Sequence, residues 1–528
     1  MKTEIGNHYW ASSVLPYVAL GLIGVLILCS GFFVVYGLLG ICIWAVCMMA
    51  PILYIANWFR CNSDREKQSA RLSVVAVIAL MLIMLGEYGA SSNSSVMFFL
   101  SIWKIGFVGL GIFFVFRCPS ASHEAFRRLL GFRYARPLLA LVILIVVAVI
   151  VQLLVVPTAS VKGSIRAITY YGTLVIALYL VLAIFNRSSA FGSVRTALRC
   201  VLAVLVLFGI FEMVTGLHLP TSIVNGADKN ALATLSKVSE TGVWIVATGP
   251  FYNPNNFCLF LSVLAFLSLP ISGEGQKVSF GGMLLFYATL TLTAVLGSTI
   301  VSLGMLLLFA VWQILRPKAW RFKVFQLLLA LACVFLFAGW FNSFIVFTVE
   351  NWGIYRYVSV ENRAVSAESV ANDLALQWLN YENGGGSMWM RIVMYKDLIS
   401  HIIDNPLGVG PGAIQSFLQM HPSASGLVDP HNWWLEFALA YGWVPFVAYL
   451  FFAGSFTFWM GRASLRARGT ATLPIFIAFL MSCIGCISPS SCDFNTIVWL
   501  PVLLGLAALG LEVQAGKVSS GSRNEDDR

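Results

Sequence analysis

Long apolar runs recur along the whole chain and are separated by short polar segments. Each run has about 18 to 24 residues, the length that an α-helix needs to cross a hydrocarbon core of roughly 30 Å. The pattern predicts an all-α polytopic integral membrane protein with about 14 transmembrane helices. The predicted spans are residues 13–34, 37–58, 73–90, 95–116, 138–157, 167–186, 200–217, 256–271, 280–297, 299–315, 325–347, 432–460, 471–490 and 495–512.

One connection, residues 349–430, is much longer than most and has a helical pattern of its own. Residues 361–383 place apolar side chains at helical intervals among small and polar ones, which predicts an amphipathic helix on the membrane surface. Three glycines follow, and residues 387–404 predict a second helix that ends before Pro406. The pattern divides the chain into transmembrane helices 1–11 (1–348), a large extracytoplasmic loop with amphipathic helices (349–430), transmembrane helices 12–14 (431–512) and a disordered cytoplasmic tail (513–528).

Composition and charge support a membrane protein. Hydrophobic residues make up 59% of the 528 positions and charged residues 11%, too few polar groups to cover a soluble protein. A net charge of +10 can indicate nucleic-acid binding, but 24 of the 33 Lys and Arg residues lie on the side that carries both predicted termini. By the positive-inside rule, that side is cytoplasmic. The basic excess then follows from topology and from contact with anionic membrane lipids, and no nucleic-acid partner is predicted.

The large outer loop is unusual because it holds four basic residues on the side where positive charge is normally sparse. These residues are Arg356, Arg363, Arg391 and Lys396. Arg391 and Lys396 are about one and a half helical turns apart, and the planar fork of an arginine suits phosphate oxygens. The group predicts an anion site. The alternative is a solvated helix face that pairs with Asp397, Glu361 or lipid head groups.

The stretch Asp429-Pro430-His431-Asn432 stands at the start of the next apolar run. Asp is a common N-cap and Pro is favoured at the first helical position, so the stretch predicts a helix with His431 at its second position. The positive end of the helix dipole disfavours imidazolium, and the ring is expected to be neutral and able to accept a proton. The alternative interpretation is a helix-end histidine that contacts lipid head groups.

Three motifs occur in order on the predicted outer face. Residues 249–255 read GPFYNPN, Arg391 is followed by DNPLGVGPG at residues 404–412, and Gly442 follows His431-Asn432 after nine residues. Together they resemble the G-x-F-x-N-P-N, R…hPl-GvGpG and H-N-x9-G patterns of the O-antigen ligase and O-antigen polymerase superfamily, membrane enzymes of bacterial surface-polysaccharide assembly. The arginine that this family usually carries before the first motif has no counterpart here. Its candidate substitutes are Lys237, Arg356 and Arg363.

The resemblance implies a GT-C-like helical fold and a metal-independent, inverting glycosyltransferase at the outer face of the bacterial cytoplasmic (inner) membrane. The donor is a glycan on undecaprenyl diphosphate. The acceptor is a sugar hydroxyl on lipid A-core, as in lipopolysaccharide, or on another lipid-linked glycan, so ligase and polymerase both remain open. The implied catalytic residues are His431 as base and Arg391, which binds the diphosphate together with Arg363, Arg356 and Lys396. The implied acceptor-binding or orienting residues are Asn432, Tyr252 and Asn255.

No cofactor or metal is predicted. Cys483-x-x-Cys486 is a single pair within an apolar run and has no second pair or histidine nearby. If the protein is a polymerase, a chain-length regulator is a candidate partner. A polysaccharide flippase or a secondary transporter is the alternative function, and its site is expected near the middle of the membrane, between broken helices.

Overall fold

The computed structural model describes a large part of the chain. The described residues are 129–184, 189–215, 247–271, 275–344, 387–423, 429–466, 471–489 and 496–511, with residues 123, 126 and 127 and without residues 250, 252, 297, 317 and 342. The first four predicted spans, the amphipathic helix predicted at 361–383 and the tail at 513–528 lie outside these residues. The total of 14 spans therefore stays a prediction.

The described residues form an all-helical structure that contains no β-strand. In chain order the helices are α1 (Arg136–Val155), α2 (Val161–Ile184), α3 (Ser189–Thr215), α4 (Pro254–Leu267), α5 (Gln276–Val295), α6 (Thr299–Leu315), α7 (Trp320–Ala332), α8 (Ser387–Asp404), α9 (Ile414–Met420), α10 (Trp433–Tyr441), α11 (Trp443–Arg466), α12 (Thr472–Gly485) and α13 (Leu500–Leu511). A π-helical turn at Cys333–Phe337 continues α7. Six of the described helices are long and apolar enough to cross a membrane: α1, α2, α3, α5, α11, and α7 together with its continuation to Phe341.

The predicted spans from 138–157 to 325–347 each coincide with one of these helices. The largest difference is in α3, which begins at Ser189, well before the predicted residue 200. Hydropathy marks only the apolar part of a helix, whereas the polar turns at its end persist when protein groups satisfy them. Arg199 illustrates this, because its Nε donates a hydrogen bond to the Ser268 carbonyl at 2.8 Å.

One end of the helix bundle, called the site end here, joins the α1–α2 connection, the α5–α6 connection and the segments around α10. The Thr158 hydroxyl donates to the Val409 carbonyl at 3.3 Å. The Ser298 and Ser488 hydroxyls are 3.1 Å apart and share a hydrogen bond. Segments that are far apart in sequence therefore meet at this end.

The opposite end, called the basic end here, collects most of the described positive charge. The Tyr134 and Trp459 rings pack there, with centroids 4.9 Å apart. The described basic residues of this end are Arg133, Arg136, Arg195, Arg199, Lys277, Arg316, Lys318, Arg321, Lys323, Arg462 and Arg466. The charge asymmetry predicted from the order of the spans is thus present in the described part of the bundle.

The twelfth predicted span, residues 432–460, is wrong as a single helix. The structure divides it into α10 and α11 at Gly442, which has φ 82° and ψ −179°. The two helices fold back on each other, because the ring centroids of Trp433 and Tyr449 are only 4.7 Å apart. In one straight helix these residues would lie roughly 24 Å apart. The start of α10 is therefore recessed into the bundle.

A glycine-rich segment, residues 405–413, lies against the end of α10 and accounts for the break. The Val409 amide donates to the Leu439 carbonyl at 2.8 Å, and the Gly410 amide donates to the Ala440 carbonyl at 3.1 Å. The last carbonyls of a helix have no partner within it. The segment supplies these partners, so α10 can end inside the protein.

Gly442 makes the turn between the two helices and touches the same segment. Its φ and ψ lie in a region that only glycine adopts readily. A Cβ atom there would lie 2.5 Å from the Leu407 carbonyl carbon. The next amide, that of Trp443, donates to the Pro406 carbonyl at 2.9 Å. The glycine therefore serves both the turn and the close packing.

Candidate active site

His431 lies immediately before α10 rather than inside it. The N-cap of α10 is Asn432, whose side-chain oxygen accepts hydrogen bonds from two amides of the first turn at 3.0 and 3.4 Å. The prediction that Asp429 caps this helix and that His431 occupies its second position is wrong. The Asp429 carboxylate accepts a hydrogen bond from Gln415 Nε2 at 2.6 Å instead.

The backbone of His431 is left-handed, with φ 50°, and no other non-glycine residue in the described part of the chain has a positive φ. This conformation brings Cβ close to a neighbouring carbonyl oxygen, so a residue with a side chain rarely adopts it. Such residues cluster at functional sites, where the surrounding contacts hold them in place. The geometry of His431 therefore depends on its neighbours.

Helix α8 brings Arg391 and Tyr395 to His431. The Tyr395 hydroxyl donates a hydrogen bond to the His431 backbone carbonyl at 2.8 Å. Arg391 precedes Tyr395 by four residues, so the two side chains share one face of the helix. Buried Met394 and Leu398 anchor α8 in the hydrophobic core. The sequence from Ser387 to Asp404 was predicted to be helical, and the structure confirms this helix.

The environment of His431 keeps its ring neutral. Burial lowers the pKa of His431 to about 4, and the positive charge of Arg391 acts in the same direction. A neutral ring was expected from the sequence, but the main cause is burial rather than the helix dipole. Burial also lowers the pKa of the half-buried Arg391. A guanidinium nevertheless stays protonated at physiological pH, because its ordinary pKa is so high.

Arg391 has no carboxylate partner among the described residues, and it interacts electrostatically with Tyr395 and His431. The Asp397 carboxylate, on the same helix, accepts a hydrogen bond from the Ser423 hydroxyl at 2.5 Å. A half-buried cation without a counter-charge is costly. The described part of the site is therefore suited to an anion.

His431 Nδ1 is buried and has no hydrogen-bond partner in the part of the chain that the structure describes. A neutral imidazole has one N–H donor and one nitrogen that accepts. A buried polar atom of this kind gains free energy when a ligand supplies a partner. A ligand hydroxyl could donate to the nitrogen that accepts, and the same nitrogen could take its proton.

Comparison with protein families identifies the region that contains this pair. Residues 281–450 match the model of the O-antigen ligase family. This part of the chain is similar to that family. The match confirms the family resemblance and includes Arg391, His431 and Gly442, whereas the GPFYNPN motif at residues 249–255 precedes it. A search of curated proteins found no significant match.

Within the matched region, the two described cations of α8 differ in position. Lys396 is exposed, whereas Arg391 is half-buried. Five residues rotate a helix by roughly 140°, so the two side chains leave different faces. The structure places Arg391 beside His431 and turns Lys396 towards solvent. Arg356 and Arg363 lie outside the described residues.

The candidate acceptor residues are less closely linked to His431. Asn255 lies in the first turn of α4, where its amide donates to the Asn253 side chain at 2.7 Å. No hydrogen bond joins Asn255 to His431 among the described residues, and Tyr252 lies outside them. Asn432 is the N-cap and also contacts the Tyr395 hydroxyl. An orienting role for Asn432 therefore has a physical basis, while an acceptor role for Asn255 stays a prediction.

Two buried polar side chains, which the family patterns do not include, support the site end. Gln152 of α1 donates from Nε2 to the Leu407 carbonyl at 2.5 Å and to the Ala440 carbonyl at 2.8 Å. Glu212 of α3 accepts hydrogen bonds from the amides of Thr248 and its neighbour at 3.0 and 2.6 Å. In the sequence, the signal that could indicate both residues is a polar side chain within an apolar run.

Proposed function

We propose that the protein is a membrane glycosyltransferase that moves a glycan from undecaprenyl diphosphate onto a sugar hydroxyl of an acceptor. The observation that carries the proposal is the pairing of Arg391, a cation with no carboxylate partner among the described residues, with a neutral histidine, His431. The match of residues 281–450 to the O-antigen ligase family supports a glycosyltransferase-like reaction. It also supports lipid-linked glycans and lipid A-core as the general class of substrates.

Arg391 binds the diphosphate of the donor. Departure of the diphosphate places a further negative charge on the oxygen that leaves the anomeric carbon, and a nearby cation stabilises this charge in the transition state. The planar guanidinium can contact two phosphate oxygens at once. Arg363 and Arg356 add positive charge around the same group, whereas Lys396, predicted with them, lies on the exposed side of α8 and is left out of this role. No metal ion is part of the proposed reaction.

His431 acts as the base. Its neutral ring takes the proton of the acceptor hydroxyl while the hydroxyl oxygen attacks the anomeric carbon. The bond between this carbon and the diphosphate oxygen breaks, and its electron pair stays with the diphosphate. Attack from the opposite face inverts the anomeric centre. The imidazolium then returns its proton to water, and undecaprenyl diphosphate leaves.

The reaction takes place at the outer face of the bacterial cytoplasmic membrane in this proposal. The basic end of the bundle belongs on the cytoplasmic side by the positive-inside rule. The site end, with His431 and Arg391, then faces outwards. Both chain termini are cytoplasmic in the same topology. Asn432 orients the base, and Tyr252 and Asn255 contribute to the path of the acceptor.

The acceptor decides between two forms of the same chemistry. Transfer to lipid A-core is the ligase reaction, and transfer to another lipid-linked glycan is the polymerase reaction. The polymerase would work with a chain-length regulator. The proposed roles of Arg391 and His431 are the same in both.

Reconstitution of the purified protein in vesicles with a lipid-linked oligosaccharide donor tests the function. One sample contains lipid A-core as acceptor, and the other contains only the donor, which can then also act as acceptor. We expect a larger glycan product and release of undecaprenyl diphosphate in one of the samples. Movement of the donor across the vesicle membrane without release of diphosphate would contradict the proposal and indicate a flippase.

The pH dependence of transfer follows from the lowered pKa of His431. A base acts while it is unprotonated, and His431 stays neutral down to a pH of about 4. We therefore expect a rate that is nearly constant from pH 8 to about pH 5 and that falls only at lower pH. An ordinary histidine would lose half of its activity at a pH near 6.5. The measurement is the initial transfer rate at each pH, with size-exclusion chromatography as the control for folding. A midpoint of the acid limb near 6.5 would contradict the buried, neutral base.

A further inference from the structure

Tyr395 makes the one hydrogen bond that reaches His431 itself within the described residues. Other contacts hold the residues that follow His431. Asn432 caps α10, and the Trp433 amide donates to the Cys486 carbonyl at 3.2 Å. The backbone of His431 is left-handed, a conformation that neighbouring contacts must maintain. The Tyr395 hydroxyl is therefore the direct restraint on this residue.

The position of Tyr395 is itself well defined. It lies one turn after Arg391 on α8, and buried Leu398, three residues later, packs in the core. Burial raises the pKa of the Tyr395 hydroxyl, while the charge of Arg391 acts in the opposite direction. The hydroxyl keeps its proton at neutral pH and remains a hydrogen-bond donor. The same turn of α8 thus supplies both the cation beside His431 and the hydrogen bond that restrains it.

We propose that Tyr395 is a positioning residue for His431, and that its hydroxyl holds the His431 backbone in the left-handed conformation that keeps the imidazole buried beside Arg391. This inference rests on the proposed function, in which His431 is the base. Tyr395 contacts neither donor nor acceptor in this arrangement. Its loss should therefore affect the transfer step and the basicity of His431, but not the binding of the donor.

Tyr395→Phe tests this inference, because it removes the hydroxyl and keeps the ring. We expect kcat to fall about 3- to 10-fold, the range for loss of one hydrogen bond, with KM and donor affinity unchanged. Release of the His431 backbone should also expose the imidazole to water. The pKa of His431, and with it the midpoint of the acid limb of the pH profile, should then move from about 4 towards the ordinary value near 6.5. A purely structural role for Tyr395 would not move this limb.

The matched control is Tyr287→Phe. The Tyr287 hydroxyl also donates to a backbone carbonyl, that of Gln326, at 3.3 Å, but it lies in α5. This variant should keep the kcat and the pH profile of the unmodified protein. If the control variant shows the same changes as Tyr395→Phe, the inference about Tyr395 is wrong.

The outcomes for the inference and for the proposed function can be separated. An unchanged kcat and acid limb in Tyr395→Phe, together with inactive His431→Ala, would overturn the positioning role and leave the base in place. Active His431→Ala would overturn the proposed function itself. Weaker donor binding by Tyr395→Phe would also overturn the positioning role, because it would show that Tyr395 contacts the donor.

A second experiment covers the case in which Tyr395→Phe does not fold. Incorporation of 3,5-difluorotyrosine at position 395 gives a more acidic hydroxyl that loses its proton at lower pH. Transfer should then fall reversibly as the pH rises, because the phenolate cannot donate to the His431 carbonyl. The transfer rate of the unmodified protein, measured over the same range above neutral pH, serves as the reference. If the rate depends on pH above neutrality in the same way in both proteins, the inference is contradicted.

Discussion

His431→Ala should transfer roughly 10²- to 10⁴-fold less glycan than the unmodified protein, because removal of a general base has an effect of this size. The variant should still fold, since the side chain lies outside α10 and the Asn432 cap remains. It should also bind the donor, because the diphosphate is held by Arg391. The measurement is the initial transfer rate of the purified, monodisperse protein in vesicles.

The control for this variant is His421→Ala. His421 lies ten residues before His431, is exposed and packs against Phe417 with ring centroids 4.6 Å apart. It has no role in the proposed chemistry, so its removal should leave the transfer rate unchanged. Near-normal transfer by His431→Ala would show that His431 is not the base. The alternative interpretation, a histidine that contacts lipid head groups, would then be favoured.

Gly442→Ala should strongly destabilise the protein. The backbone conformation of Gly442 alone is expected to cost a residue with a side chain roughly 1–3 kcal/mol. The new Cβ would also lie 2.5 Å from the Leu407 carbonyl carbon and 2.6 Å from the Pro406 carbonyl oxygen. Both contacts are to backbone atoms that cannot move without displacing the glycine-rich segment. We expect a clearly lower midpoint of thermal unfolding in detergent and a smaller yield of monodisperse protein.

Gly454→Ala is the matched control on the neighbouring helix. Gly454 lies within α11, and a Cβ atom there would meet no other atom within 4 Å. Alanine is favoured over glycine in a helix by about 0.5–1 kcal/mol, so this variant should be as stable as the unmodified protein or slightly more so. Equal midpoints of thermal unfolding for Gly442→Ala and Gly454→Ala would contradict the break between α10 and α11. A continuous helix through residue 442 would then be the better description.

Hydropathy predicted most described membrane helices but could not predict this break. Residues 433–460 are apolar almost throughout, and a membrane helix can contain a glycine and a proline without ending. The turn at Gly442 exists because residues 406–410, far away in sequence, supply hydrogen bonds to the end of α10. A contact of this kind is a property of the tertiary structure, so the local pattern does not contain it.

The start of α10 was predicted wrongly for a related reason. Asp429 and Asn432 are both good N-cap residues, and Pro430 favoured the first of them. The structure uses Asn432, because Gln415 binds the Asp429 carboxylate and Tyr395 binds the His431 carbonyl. Both partners lie in the long connection predicted at residues 349–430. Local preferences gave two solutions, and tertiary hydrogen bonds selected one.

The pairing of Arg391 with His431 came from the family resemblance, since 40 residues of sequence separate them. The grouping of Lys396 with Arg391 came from sequence spacing, and the structure places Lys396 on the exposed side of α8. The sequence pattern indicates no role for Tyr395, which precedes Lys396 on the same helix. Its link to His431 depends on how α8 packs against α10, which no helical periodicity specifies.

Donor binding and glycan transfer, measured separately on the same purified variants, test most directly whether Arg391 binds the diphosphate while His431 acts as base. We predict that Arg391→Ala loses most of its affinity for the undecaprenyl-diphosphate-linked glycan. The affinity of Arg391→Lys should lie between those of Arg391→Ala and the unmodified protein, because lysine keeps the charge without the planar fork. His431→Ala should bind the donor like the unmodified protein and transfer little of it. Unchanged donor affinity in Arg391→Ala, with the protein folded and monodisperse, would contradict this assignment of roles.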